Sequence, residues 1–145
     1  QSGSSMRFWR PVASELAIAE AVDVIIAEFG LAPAATRAAA SLPHAAQRRL
    51  EVALACACRP RLLLLDEPLA GMGADDAEAM IELIARLKQR IPMVLVEHDM
   101  DAVFRLADMV SVLVAGRVIA SGMPAEIRDN AEVRTAYLGE DEDSA

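Results

Sequence analysis

Two short apolar runs in this chain stop abruptly at charged residues. The first is Leu62–Leu65, which gives way to Asp66, Glu67 and Pro68. A run of this length without alternation suits a strand buried on both faces, as in a parallel sheet covered by helices. Leucine is not a strong strand former, which leaves a buried helix segment as the alternative; Pro60 and Pro68 limit the run and favour the strand. The second run, Val94–Val96, leads into Glu97, His98 and Asp99. Between the two, the pattern predicts a helix over Asp75–Arg90 with Met80, Ile81, Leu83, Ile84 and Leu87 on its buried face. Strand, crossover helix and strand form a βαβ unit. It sets Asp66, Glu67 and His98 along one edge of one sheet, the carboxyl edge where open α/β sheets bind ligands.

The flanking segments are read the same way. Apolar positions from Leu16 to Phe29 recur at helical spacing, so a helix is expected over Ser14–Phe29, with Ser14 able to cap its start and Gly30 to supply a left-handed residue at its end. The alanine-rich stretch 31–40, with Pro33, reads as a loop and a short helix, and 41–58 as a further helix. Asp75 or Asp76 can cap the crossover helix, and Pro92 helps set the start of the second strand. Met100–Ala107 reads as a short helix closed by Asp108. Met109–Ala115 and Arg117–Ser121 are β-rich runs that meet at Gly116 as a hairpin, and Pro124–Asp129 and Glu132–Leu138 are short helices.

Composition narrows the classes. A chain of 145 residues has one-domain length with room for a core. Apolar residues make up 54 % but aromatics only 3 %, so alanine and leucine must fill the interior. The net charge of −8 argues against a nucleic-acid partner. Part of it sits in Glu140–Asp143, expected to be a solvated tail. No apolar run reaches the roughly 18 residues of a membrane span, and no signal peptide is read at the start. Gln1–Met6 reads as an expression scar and is set aside. Cys56 and Cys58 form a CxC in a helical apolar pattern; with no second pair and scarce histidine, they are expected to be buried free thiols rather than metal ligands. A cytosolic face is the natural compartment.

Two adjacent acids at the end of a strand can hold a divalent cation and position a water; the same pair also suits a helix-capping Asp beside a solvated Glu. The order of segments carries more weight. LLLLDEP, then AGMG, then VLVEHD resemble the Walker B, D-loop and switch-histidine series of ATP-binding cassette ATPases, and the resemblance extends from about Phe29 to Gly139. QRRLEVALA, MPAEIRDN and VRTAYLGE most resemble the ATPase subunits of branched-chain amino acid importers.

The resemblance implies an α/β fold, a partial P-loop NTPase with a mostly parallel sheet flanked by helices. It implies a helical subdomain over 7–60, an α/β core over 61–122, C-terminal helices over 123–139 and an acidic tail over 140–145. It implies ATP and Mg²⁺ as cofactors, Asp66 holding Mg²⁺ through water, Glu67 polarising the attacking water and His98 contacting the γ-phosphate. Gly71 and Gly73 belong to the D-loop, with Gly73 where an Asp or Asn is usual.

The signature LSGGQ is degenerate here. Leu42 matches, and so do Gln47, Arg48 and Arg49 just beyond, but Pro43 replaces the serine, His44 and Ala45 replace the glycines and Ala46 the glutamine. Pro43 removes a hydroxyl and an N–H, though proline is tolerated in a first helical turn, so the helix can survive while its phosphate grip weakens. His44 is either a substitute donor or a surface residue.

A P-loop needs GxxxxGK followed by Ser or Thr. Lys88 is the only lysine and no Gly-Lys pair exists, so the chain is expected to be the C-terminal part of a longer ATPase, inactive by itself. The implied partners are a second ATPase subunit and two membrane permease subunits, at the cytoplasmic face of the membrane. A sheet without its P-loop strand is expected to self-associate through open edges or apolar faces. Two further readings stay open. One is a non-transport cassette ATPase of the repair or translation type. The other is a non-catalytic interaction module, which Pro43 and Ala45 favour.

Overall fold

The computed structural model describes residues 16–139. Its elements run α1 (Leu16–Glu28), two 3₁₀ turns (Ala32–Ala34 and Ala39–Ser41), α2 (His44–Ala57), β1 (Leu63–Asp66), α3 (Ala74–Leu87) and β2 (Met93–Val96). They continue with α4 (Met100–Leu106), β3 (Val110–Val114), β4 (Arg117–Gly122), α5 (Pro124–Asp129) and α6 (Ala131–Gly139). The expected helix start at Ser14, the segment Gln1–Met6 and the acidic tail lie outside the described residues.

Local chemistry explains most boundaries. α1 ends in a Schellman motif: Leu31 N–H bonds to Ile26 O at 2.8 Å and Gly30 N–H to Ala27 O at 3.2 Å, with Gly30 at φ +65°. The β3–β4 hairpin turns on Ala115 and Gly116, both at positive φ, with Val114 opposite Arg117. Two positive-φ central residues match the right-handed strand twist. α4 is capped by Asp99, whose Oδ1 accepts the Ala102 N–H at 3.0 Å. The crossover helix is capped differently from expectation. Gly73 occupies the N-cap, and Asp75 and Asp76 lie in the first turn, where acids complement the helix dipole. Pro43 is likewise the N-cap of α2 rather than a first-turn residue.

β1 and β2 pair in parallel, with Leu63 opposite Met93 and Asp66 opposite Val96; β3 and β4 form a separate antiparallel pair. The parallel pair is covered on one side. Leu63 and Leu65 are 4 % and 8 % exposed, whereas Leu64 and Val94 are 69 % and 51 % exposed. Burial of Leu62–Leu65 on both faces therefore does not hold among the described residues, and the strand spans Leu63–Asp66, with Leu62 exposed. Period-two geometry sends Leu64, Val94 and Val96 to the face opposite α3.

One core joins α1, α2, β1, α3 and α4 around Met80, Ile84 and Leu87, all at 0 % exposure. A second, smaller core is built from Val110, Ile127 and Val133. α3 and α4 are clamped by Arg105, whose two guanidinium nitrogens donate to the Glu78 carboxylate at 2.6 Å each. Lys88 Nζ donates to Leu106 O and to Asp108 Oδ1, both at 2.8 Å, closing the C-terminal end of α4. The thiols differ from each other. Cys56 is half-buried and burial pushes its pKa up, while Cys58 is exposed, which corrects the expectation of two buried thiols.

One-sided burial sets two contrasting outcomes. Leu65→Ala should cost about 2–5 kcal/mol as a core truncation, and Leu64→Ala about 0.5 kcal/mol or less as a surface change. Equal losses in urea melts would restore the two-faced strand. The clamp sets a pH dependence. The bidentate bond from Arg105 holds the Glu78 carboxyl below its ordinary range. Its stabilisation is thus fully present above the unfolded glutamate pKa and is lost as pH falls through the lowered value. Glu78→Gln should lower the melting temperature at pH 7, and the difference from wild type should shrink towards zero below about pH 4.

Candidate functional site

The site lies where the parallel ladder runs out. The Glu67 N–H donates to Val96 O at 2.9 Å, the last rung between the strands. Beyond it the backbone turns sharply. Glu67 takes φ +44°, a left-handed conformation costing a non-glycine residue about 1 kcal/mol, and Ala70 N–H bonds back to Glu67 O at 3.1 Å. Strain of this kind concentrates at functional positions. The turn sets the Glu67 carboxylate beside His98, two residues past the end of β2: Glu67 Oε1 lies 3.8 Å from His98 Nδ1, and both side chains are largely exposed. Asp66, also exposed, ends β1 itself. Asp66, Glu67 and His98 thus share the carboxyl edge expected of them.

The expected signature residues are placed less uniformly. His44 is exposed at the first position of α2, and its Cε1 stands 3.4 Å from where a Cβ on Gly71 would lie. The loop after β1 and the start of α2 are therefore in contact. Gly71, at φ +71°, needs its glycine, while Gly73 has ordinary φ and open space around it. Pro43 is exposed, but Ala45 is only 7 % exposed and belongs to the interior. Gln47 turns inward along the chain, its Nε2 donating to Leu42 O at 3.0 Å and to Ala39 O at 3.4 Å. It holds the loop that leads into α2, so its amide is engaged internally. A cleft of about 180 Å³ lies between α2 and the open face of β1, with Arg48, Val52, Leu64 and Asp66 among its lining.

One residue escaped the sequence reading. Glu97, next to His98, has a side chain only 1 % exposed, and its Oε1 accepts the Leu69 N–H at 3.0 Å. The signal was its place in VLVEHD, directly after an apolar strand, where the alternating direction of side chains sends it to the same face as Met93 and Leu95.

A parallel β–α–β unit with acids and a histidine at its carboxyl edge, and a glycine-bearing loop after its first strand, is the arrangement in which open α/β sheets bind ligands. The comparisons agree. Residues 4–70 match the family described as ABC transporter, and residues 117–143 match the family described as Branched-chain amino acid ATP-binding cassette transporter. The chain belongs to the ATP-binding cassette ATPases. It is 42 % identical over 115 residues to the high-affinity branched-chain amino acid transport ATP-binding protein BraF of Pseudomonas aeruginosa, covering 78 % of this chain and 45 % of that protein. It is 40 % identical over 114 residues to the corresponding protein LivG of Escherichia coli K12, covering 77 % of this chain and 45 % of that protein. Among solved structures, the ADP conformation of an ATP-binding cassette of an ABC transporter superposes with a TM-score of 0.72 at 25 % identity, over 83 % of this chain and 50 % of that one. The chain thus spans about 45 % of the length of these curated relatives.

The contact between Gly71 and His44 sets a test. Gly71→Ala should lose about 1–2 kcal/mol from its left-handed backbone, and it should shift the His44 ring resonances by placing a methyl in contact with the ring. Gly73→Ala should leave those resonances in place. Identical spectra for the two variants would mean that the loop and α2 are not in contact.

Proposed function

We propose that this chain is part of the ATP-binding, ATP-hydrolysing subunit of an importer for branched-chain amino acids. The observation that carries the reading is the 40–42 % identity to proteins named for that transport. The match of residues 117–143 to a family of the same name supports it. In this reading Glu67 polarises the attacking water, His98 contacts the γ-phosphate and Asp66 serves Mg²⁺ through water. The 3.8 Å approach of Glu67 to His98 supports a shared task, because two groups around one phosphate must converge. Gly71 and Gly73 belong to the D-loop, and the start of α2 with Pro43, His44, Ala45 and Gln47 is a weakened phosphate grip.

Asp66 is an exposed carboxylate at the strand end, a hard oxygen donor of the kind that Mg²⁺ takes. Mg²⁺ is usually bound by one or two carboxylates together with substrate phosphates. When bound, it supplies charge stabilisation at the phosphates.

The subunit would work with a second ATPase subunit and two membrane permease subunits, peripheral to the cytoplasmic face of the membrane. Among the described residues no helix is long and apolar enough to cross a membrane. A non-catalytic interaction module is the second reading. It is favoured by one group of observations: Pro43 has neither hydroxyl nor N–H, Ala45 is buried and Gln47 is spent on its own loop.

Lys88, the single lysine, is committed to Leu106 and Asp108, so this chain offers no P-loop lysine. Titration calorimetry of the 145-residue chain with MgATP should therefore show no micromolar binding. In a longer protein that contains this stretch together with a P-loop, Glu67→Gln should lower turnover by about 100-fold or more while sparing ATP binding. Wild-type turnover in that variant would sink the assignment of Glu67, and a wild-type protein without ATP hydrolysis would favour the interaction module.

A further inference from the structure

A buried carboxylate stands behind the exposed pair. Carboxylates are seldom buried unless their oxygens are engaged. In Glu97, whose side chain is 1 % exposed, both oxygens are engaged by backbone donors on two different segments. Oε1 accepts the Leu69 N–H at 3.0 Å, and Oε2 accepts the N–H of His98 at 3.2 Å. Leu69 lies just beyond Glu67 and Pro68 in the loop after β1. The backbone ladder stops at the rung from Glu67 to Val96, and past that rung this carboxylate ties the two departing segments together. The same Oε2 also lies 3.9 Å from His98 Nδ1, against the 3.8 Å from Glu67 Oε1.

We propose that Glu97 is a positioning residue that fixes the spacing between Glu67 and His98. Its role needs two acceptor oxygens on one planar group, each facing an N–H. Glutamine has nearly the same shape but a single acceptor oxygen, and its amide nitrogen cannot accept. In Glu97→Gln one of the two backbone donors must lose its partner, and the loop after β1 moves independently of the turn after β2. The catalytic consequence rests on the ATPase reading given above; the hydrogen-bond geometry does not.

Amide hydrogen exchange of the 145-residue chain, followed by NMR, tests the geometry without nucleotide. The Leu69 amide should be protected in the wild type. In Glu97→Ala, which removes both acceptor oxygens, it should exchange faster by about ten-fold or more, the equivalent of one hydrogen bond to a charged group; in Glu97→Gln the loss falls on Leu69 or on His98, whichever faces the amide nitrogen. Ile84, fully buried in the C-terminal half of α3, monitors global opening and should change less. An unprotected Leu69 amide in the wild type overturns the proposal whether or not the variant folds, and equal acceleration at Leu69 and Ile84 overturns it as an effect on overall stability. In a longer, ATP-hydrolysing protein containing this stretch, Glu97→Gln should lower kcat by about ten-fold with KM for ATP held within about two-fold, the mark of an interaction realised in the transition state. Unchanged kcat also overturns it. Absence of hydrolysis in the wild type would instead count against the ATPase reading, and the exchange result alone would then decide the role of Glu97.

Discussion

The in-register parallel pairing of β1 with β2 is the constraint on which the rest depends. With Leu63 against Met93 and Asp66 against Val96, both strands end at the same level. The chemistry carried by the residues after each strand is therefore brought to one edge. The same register puts Leu63, Leu65, Met93 and Leu95 on one face, where α3 buries its apolar stripe. A slip by one residue would turn those side chains to the other face and separate Glu67 from His98. The helices then follow. α4 starts from a cap directly after the histidine, and the Glu78–Arg105 clamp ties it to α3.

The site is a place where regular structure gives out and special contacts take over. At Glu67 the chain accepts a left-handed backbone that a glycine would adopt at less cost, and in return the carboxylate sits next to His98. At Gly71 a positive φ favours glycine, and the imidazole of His44 lies within contact distance of where a Cβ would stand. At Glu97 a buried carboxylate satisfies two backbone donors that no strand partner reaches. Each feature links the loop after β1 to a different neighbour: the end of β2, the start of α2 and the turn into α4. Glu67 and His98 themselves remain exposed, which suits groups that are to meet a ligand rather than hold the fold.

The stretch proposed as a signature follows structural needs. Where the resemblance leads one to expect small, hydrogen-bonding residues, this chain has a proline at the N-cap of α2, an exposed histidine and an alanine packed into the interior. Gln47 survives as a residue type, yet its amide is bonded to Leu42 and Ala39 in the preceding loop. A matching letter in the sequence thus fills a role internal to the fold.

What the sequence determined by itself was local and periodic. The apolar stripe of α3 read correctly because helical spacing is a property of the chain alone. The end of α1 at Gly30 and the hairpin at Gly116 read correctly because positive φ leaves few residue choices. Asp66, Glu67 and His98 were legible as a set because a βαβ unit brings successive strand ends to one edge. The tertiary structure decided matters that depend on neighbours distant in sequence. Asp75 and Asp76 were plausible caps by type, but the loop places Gly73 at the N-cap. Cys56 and Cys58 share a spacing, yet only one of them turns towards the core. Leu64 is as apolar as Leu65, and only the arrangement of helices around the sheet leaves one exposed and the other buried. Glu97 drew no role from the sequence; its burial follows from the loop after β1, 28 residues away, bringing a backbone N–H to its carboxylate. Burial is a property of what packs on a residue, and that information is written in no single stretch of the chain.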